Sequence, residues 1–197
     1  YGLGETWTLL VPNTKGGASM PLAASKTAME HANANYSPIY QAFTQYWGEQ
    51  PGTSGPVYVG AFVLMLFILG LFIVRGPMKW CLLAATILSI LLSWGKNFMG
   101  FTDFFLDYVP MYDKFRTVAS ILVIAEFTIP LLAMLALKKL VEDPACLEGK
   151  SERWHFPRKH YLTLSFALTG GVALLFWLMP DLFFGDYLSS ADQSYMH

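Results

Sequence analysis

Four long apolar runs constrain this chain more than any other feature of its sequence. They lie within residues 56–180 and occupy residues 57–74, 80–94, 118–137 and 161–179. A helix needs about 20 apolar residues to cross a hydrocarbon core of about 30 Å, and the second run is short enough to need its flanks. The sequence therefore predicts an all-α, polytopic membrane protein with four transmembrane helices.

The composition supports a chain whose solvent is partly lipid. Of the 197 residues, 54% are hydrophobic and only 14% are charged, whereas soluble domains carry about 25% charged residues. The two cysteines, Cys81 and Cys146, have no metal-ligand spacing to each other or to a histidine. We therefore expect neither a disulfide framework nor a zinc site.

The placement of lysine and arginine predicts the orientation in the membrane. Eight of the 13 basic residues lie in two short connections, residues 75–79 and 138–160, which the positive-inside rule places in the cytoplasm. An irregular or helical segment at residues 1–55, the loop 94–116 and the tail 181–197 then face outward. No signal peptide is visible, and the polar tail has no closing element, so we expect a fragment of a longer protein.

The external loop 94–116 carries aromatic and charged side chains at a helical spacing. Asp103 and Asp107 are four residues apart, so a short helix lying flat on the membrane would present both on one face. Such a pair can bind a cation or orient an acceptor hydroxyl, but two surface carboxylates are more often only solvated. Pro110 is expected to end this helix.

Lys114 and Arg116 follow at the outer mouth of the third apolar run. Two residues apart in an extended strand, they would point to the same side and hold one anionic group, with arginine offering a bidentate fork. The alternative is that both are solvated or bind lipid headgroups without specificity.

Glu126 is an ionisable residue nine positions into the third run, which places it near mid-depth. A residue of this kind indicates a functional site by default, although it also fits a neutral side chain or one paired with another helix. Pro130 is expected to kink the helix and free a carbonyl near Glu126.

Three stretches resemble the YfhO family of bacterial multi-spanning membrane proteins. These are residues 5–17 (E-T-W-T-L-L-V-P-N-T-K-G-G), residues 46–60 (Y-W-G-E-Q-P-G-T-S-G-P-V-Y-V-G) and residues 93–126, which include Pro110 and Arg116. That family is similar in architecture to C-type glycosyltransferases, which use polyprenyl-phosphate sugars at the outer face. The resemblance implies a bacterial inner-membrane enzyme that glycosylates a cell-envelope acceptor.

The resemblance also implies a division of roles. It places the general base in an external loop before Tyr1, so the catalytic residue is unknown here and this fragment alone is expected to be inactive. Arg116, with Lys114, would hold the lipid phosphate and stabilise charge on the leaving group. No cofactor is implied with certainty, and a divalent cation remains open. The expected partners are membrane lipids, a polyprenyl-phosphate-linked sugar and an envelope acceptor, with no nucleic acid.

Two other functions remain open at this point. The chain also fits a noncatalytic membrane module that binds or translocates lipid-linked sugars or organises an envelope complex. An ion-coupled transporter would rest on Glu126 alone and would require further charged or broken spans.

Overall fold

The computed structural model describes residues 1–48, 50, 57–109, 118–148 and 157–183. Most of these residues are helical. The α-helices in these ranges are α1 (Lys26–Glu30), α2 (Ser37–Ala42), α3 (Ala61–Ile73), α4 (Met78–Ser93), α5 (Met99–Tyr108), α6 (Leu122–Glu142), α7 (Lys159–Phe166), α8 (Val172–Leu178) and α9 (Pro180–Phe183). Two strands, β1 (Gly16–Pro21) and β2 (Thr44–Tyr46), lie within residues 1–55, which the sequence predicts to be external and which are called the external segment below.

Helix α6 is the central element of the helical region. It packs against α3 on one side and α4 on another, and α7 packs against α3. Gly70 of α3 faces Leu132 and Ala136 of α6, and a Cβ at Gly70 would lie 3.1 Å from the Leu132 carbonyl oxygen. Small residues of this kind allow two membrane helices to approach closely. The α3/α6 contact therefore depends on glycine at this position.

Hydroxyl groups join α4 to α6. The Oγ1 atoms of Thr86 and Thr128 are 2.7 Å apart, and Ser89 Oγ donates to the carbonyl oxygen of Ile121 at 2.7 Å. These hydroxyls are buried between apolar helices, where association rests on packing and on hydrogen bonds of about 1 kcal/mol. The α4/α6 contact is therefore held at specific points along both helices.

Two of the described helices are long and apolar enough to cross a membrane. These are Ala119–Glu142, with 24 residues, and Lys159–Leu178, with 20 residues. A third candidate is the pair Met78–Ser93 and Gly95–Tyr108, which is bent by 105°, whereas Ala61–Ile73 is a shorter apolar helix. Two or three of the four predicted spans are therefore supported.

The first apolar run gives a shorter helix than its length predicted, because its start bonds to a distant part of the chain. Gly60 has φ 109°, and the backbone N–H groups of Val59 and Gly60 donate to the Leu9 carbonyl oxygen at 3.4 Å. These bonds tie the start of the run to the external segment, so α3 begins only at Ala61. Its 13 residues extend about 20 Å at 1.5 Å per residue.

The external segment departs from the predicted all-α class because it contains a small sheet. Strands β1 and β2 pair antiparallel, with Gly16 opposite Tyr46 and Pro21 opposite Thr44. Gly16 has φ 83°, and a Cβ there would overlap the Gln45 carbonyl oxygen. The partners are more than 20 residues apart, so helical periodicity carried no signal for this pairing.

Candidate functional site at the outer face

A sharp corner between α4 and α5 forms the core of the predicted external site. The chain turns through a short 3-10 helix, Gly95–Phe98, in which Gly95 has φ 45°. The buried Thr102 hydroxyl of α5 donates back to the Gly95 carbonyl oxygen at 2.9 Å and so holds the corner closed. Because the bend is 105°, α5 lies nearly perpendicular to α4. A membrane crossed by α4 would therefore have α5 along its surface.

Helix α5 carries a row of aromatic rings along one side. The ring centroids of Phe101 and Phe105 are 5.0 Å apart, and those of Phe104 and Tyr108 are also 5.0 Å apart. Tyr108 and Phe104 are 73% and 54% exposed, so the row is uncovered by the described part of the chain. Exposed aromatic rings on a helix of this kind are typical of the interface between membrane and water.

Asp103 and Asp107 lie on the side of α5 away from most of these rings. They are one helical turn apart and both are exposed, as the sequence predicted for a surface helix. Within the described ranges neither carboxylate forms an ion pair. Among those same residues, no group of three or more His, Cys, Asp or Glu side chains is arranged to hold a metal ion. Ligand orientation and simple solvation both remain compatible with this geometry.

The sequence predicts that Lys114 and Arg116 form a phosphate clamp at the start of the third apolar run. Pro110, Lys114 and Arg116 lie outside the described residues. Their assignment to a lipid phosphate therefore stays a prediction.

Glu126 is exposed on α6, the helix formed by the third apolar run. The apolar helix runs from Ala119 to Glu142, so Glu126 is its eighth residue and lies about 7 Å from the centre, at 1.5 Å per residue. Pro130 lies inside α6 without ending it. The Glu126 charge contributes to the raised pKa of the Tyr1 phenol, although burial is the main cause. Glu126 is therefore in electrostatic range of the external segment.

Glu5 is a buried carboxylate that the sequence interpretation did not single out. It is 1% exposed, and its Oε2 accepts hydrogen bonds from the Gly2 N–H at 2.9 Å and from Gln50 Nε2 at 3.0 Å. Its Oε1 accepts a hydrogen bond from the Tyr46 hydroxyl. A buried carboxylate is tolerated when donors of this kind satisfy its oxygens.

Tyr46 and Gly48 pack closely around the Glu5 carboxylate. Burial, reinforced by the hydrogen bond to Glu5, raises the pKa of Tyr46 well above its usual range. Gly48 lies directly against both groups, and a Cβ at this position would overlap the Glu5 carboxylate and the Tyr46 hydroxyl. Glu5, Tyr46, Gly48 and Gln50 are called the Glu5 cluster below.

Two side chains fix the external segment to the α4–α5 corner. Trp94 Nε1 donates to Thr6 Oγ1 at 2.9 Å, and Asn97 Nδ2 donates to the Tyr1 carbonyl oxygen at 3.0 Å. Tyr1 also packs in a buried cluster with residues of α3 and α6. The start of the external segment is consequently attached both to the α4–α5 corner and to the packed helices.

The Glu5 cluster joins residues 5–17 to residues 46–60, two stretches that are distant in sequence. A signal for it was present in the sequence, since Glu5 precedes an apolar stretch and Tyr46 and Gly48 are close together. Comparison of the chain with protein-family models, with curated proteins and with solved structures finds no match.

Proposed function

We propose that this chain is part of a membrane glycosyltransferase-like protein. It would transfer a sugar from a polyprenyl-phosphate carrier to a cell-envelope acceptor at the outer face of the bacterial inner membrane. The observation that carries the proposal is the perpendicular placement of α5, with exposed aromatic rings and two exposed carboxylates on one short helix. The resemblance to the YfhO family supplies the substrate class.

An amphiphilic substrate needs a surface with both apolar and polar contacts. A lipid-linked sugar keeps its chain among the lipid tails while its phosphate and sugar lie at the interface. The aromatic row of α5 offers apolar contact at this depth, and Asp103 and Asp107 offer acceptors for hydroxyl groups or a divalent cation. These features support binding of such a substrate along α5.

Charge on the leaving phosphate must be stabilised during transfer. We assign this role to Arg116, assisted by Lys114, because a guanidinium can form two parallel hydrogen bonds to a phosphate. The general base is assigned to a part of the protein that precedes Tyr1, as the resemblance implies. Glu126 is assigned a supporting electrostatic role in the outer half of α6.

The proposal includes a membrane topology of four spans with both ends outside. Under this topology α3 and α4 cross with the help of flanking residues, and the basic connections lie in the cytoplasm. Thiol labelling from either side of sealed vesicles tests it. A cysteine replacing Lys26 should react with an impermeant reagent from outside, and one replacing Lys138 only from inside. The reverse pattern would refute the orientation.

Binding of a polyprenyl phosphate to the protein in nanodiscs tests the proposed substrate. We expect Arg116→Ala to weaken binding by about tenfold or more, since a charged hydrogen bond contributes about 1.5–3 kcal/mol. The matched control is Lys96→Ala, which removes an exposed cation close to the α4–α5 corner. Lys96→Ala should leave binding nearly unchanged. Equal affinities of Arg116→Ala and the unaltered protein would refute the phosphate clamp.

A noncatalytic lipid-binding module is the second candidate. It is favoured by the exposed aromatic rings of α5, which can contact a lipid chain without any catalytic group. The double variant Asp103→Asn/Asp107→Asn in the full-length protein separates the two functions. A transferase should lose sugar transfer while keeping carrier binding, whereas a module should bind the carrier and show no transfer before or after substitution.

A further inference from the structure

A second feature lies at the opposite end of the helices from α5. A cavity of about 290 Å³ opens where the end of α3, the start of α4, the end of α6 and the start of α7 meet. This volume is near the lower end of the range of about 300–1,000 Å³ that small-molecule sites occupy. The proposed transferase site does not use this region.

The cavity concentrates positive charge from four separate parts of the chain. Among the described residues, Arg75, Lys79, Lys139 and Arg158 line it together with a single carboxylate, Asp143. Since this carboxylate cancels only one of these charges, the described lining has an excess of three positive charges. Repulsion among like charges is reduced when an anion binds between them.

The cationic groups of the cavity have different partners among the described residues. Lys139 Nζ is 2.8 Å from Asp143 Oδ2, and Lys79 Nζ donates to the Leu71 carbonyl oxygen at 2.7 Å. Arg75 and Arg158 form no ion pair within the described ranges. Their guanidinium groups are suited to bidentate contact with phosphate oxygens.

Apolar side chains line the cavity beside the charged ones. The rings of Phe72 and Tyr161 stack with centroids 4.8 Å apart and an interplanar angle of 9°. Ile73 and Val74 also line the cavity. A ligand in this position would contact charged groups through one end and apolar side chains through the other. Basic pockets between membrane helices on the cytoplasmic side bind lipid headgroups in this manner.

We propose that this cavity is a binding site for a phosphate-bearing anionic group, supplied by the headgroup of an anionic lipid in the cytoplasmic leaflet. Arg75 and Arg158 hold the phosphate oxygens, Lys79 and Lys139 add to the positive potential, and the Phe72–Tyr161 pair contacts the glycerol and first acyl carbons. A soluble phosphate compound shares this chemistry and is distinguished by experiment.

The test measures thermal unfolding of the detergent-solubilised protein during titration with dioctanoyl phosphatidic acid. A ligand that binds only the folded state raises the unfolding midpoint, which yields an apparent affinity. We expect phosphatidic acid to raise the midpoint and dioctanoyl phosphatidylcholine to leave it unchanged. Arg158→Gln should weaken the apparent affinity about fivefold or more, from about 1 kcal/mol per basic residue.

Lys159→Gln is the matched control, since Lys159 is the neighbouring, exposed cation and does not line the cavity. We expect it to change the affinity by less than about twofold. Equal weakening by both variants would overturn the proposal, because it would indicate diffuse surface attraction. If Arg158→Gln does not fold, Arg75→Gln gives the same comparison. Inorganic phosphate that stabilises the protein as well as the lipid would overturn the lipid assignment.

Discussion

At the residue scale, Glu5 joins parts of the external segment that are distant in sequence. Its carboxylate accepts a hydrogen bond from Tyr46, 41 residues away, and another from Gln50. Gly48 lies against this pair with no room for a side chain. The stability of the external segment should therefore be sensitive to single atoms at these positions.

Gly48→Ala should destabilise the external segment by about 1–3 kcal/mol, because the added methyl group overlaps the Glu5 carboxylate. Limited proteolysis of residues 1–48 against urea concentration measures this loss. Gly100→Ala is the control, since no atom lies within 4 Å of a Cβ at that helical position. Alanine there should raise stability by up to about 1 kcal/mol. Equal protease resistance of Gly48→Ala and the unaltered protein would contradict the packing described.

High pH should weaken the fold through two buried tyrosines. Burial raises the pKa of Tyr1 from 10.0 to about 12 and raises the pKa of Tyr46 further. As the pH rises above 10, the unfolded chain loses these protons while the folded chain keeps them, so stability falls. Below pH 10 these tyrosines should not make the free energy of unfolding depend on pH, because they keep their protons in both states.

The free energy of unfolding measured between pH 9 and pH 12 provides the test, with these limits set around the usual tyrosine pKa of about 10. The free energy of unfolding of Tyr46→Phe should fall less steeply with pH than that of the unaltered protein, since one group with a raised pKa has been removed. Tyr36→Phe, at an exposed tyrosine, should decline in parallel with the unaltered protein. Identical slopes for all three proteins would show that the Tyr46 phenol is not protected by folding.

At the scale of the element, α5 is informative because its two sides differ in chemistry. Tyr108 is 73% exposed on the aromatic side, and Asp103 is exposed on the other. The bend of 105° after α4 turns the helix away from the direction of a span. If α5 lies along the membrane surface, Tyr108 should therefore face lipid and Asp103 should face water.

Spin labels at Tyr108→Cys and Asp103→Cys, in a background without Cys81 and Cys146, test this orientation in bilayers. The label at position 108 should collide more often with oxygen, which concentrates in lipid. The label at position 103 should collide more often with a water-soluble nickel complex. Equal lipid exposure at both positions would indicate that α5 continues into the membrane as part of a broken span.

At the scale of the whole molecule, the contact between α3 and α6 organises the helical region. Gly70 packs against Leu132 and Ala136, and the α6 residues at this contact are fully or almost fully buried. Helix α6 also contacts α4 through the Thr86–Thr128 hydrogen bond. Separating α3 from α6 should consequently disturb the arrangement of the other helices.

Gly70→Leu should lower the stability of the protein in detergent by about 1–3 kcal/mol, because the larger side chain forces the two backbones apart. Gly171→Leu is the control, since a Cβ at Gly171 has no neighbour within 4 Å. Thermal unfolding followed by circular dichroism compares the two variants. A larger loss for Gly171→Leu than for Gly70→Leu would contradict the packing of α3 on α6.

The sequence alone could predict the features that depend on local spacing. Apolar runs with at most one ionisable residue predicted apolar helices, and the spacing of Asp103 and Asp107 predicted a short surface helix on which both are exposed. Two described helices have the length and hydropathy of membrane spans. These properties are visible locally because helical periodicity repeats within a few residues.

The tertiary structure decided the features that depend on distant partners. The Glu5 cluster and the β1–β2 pair join residues far apart in sequence, and the cationic cavity combines side chains from four helix ends. Helix α3 is shortened because the backbone at Val59 and Gly60 bonds to Leu9 instead of continuing the helix. Hydropathy and local spacing describe each segment separately, whereas these contacts arise only when folding brings distant segments together.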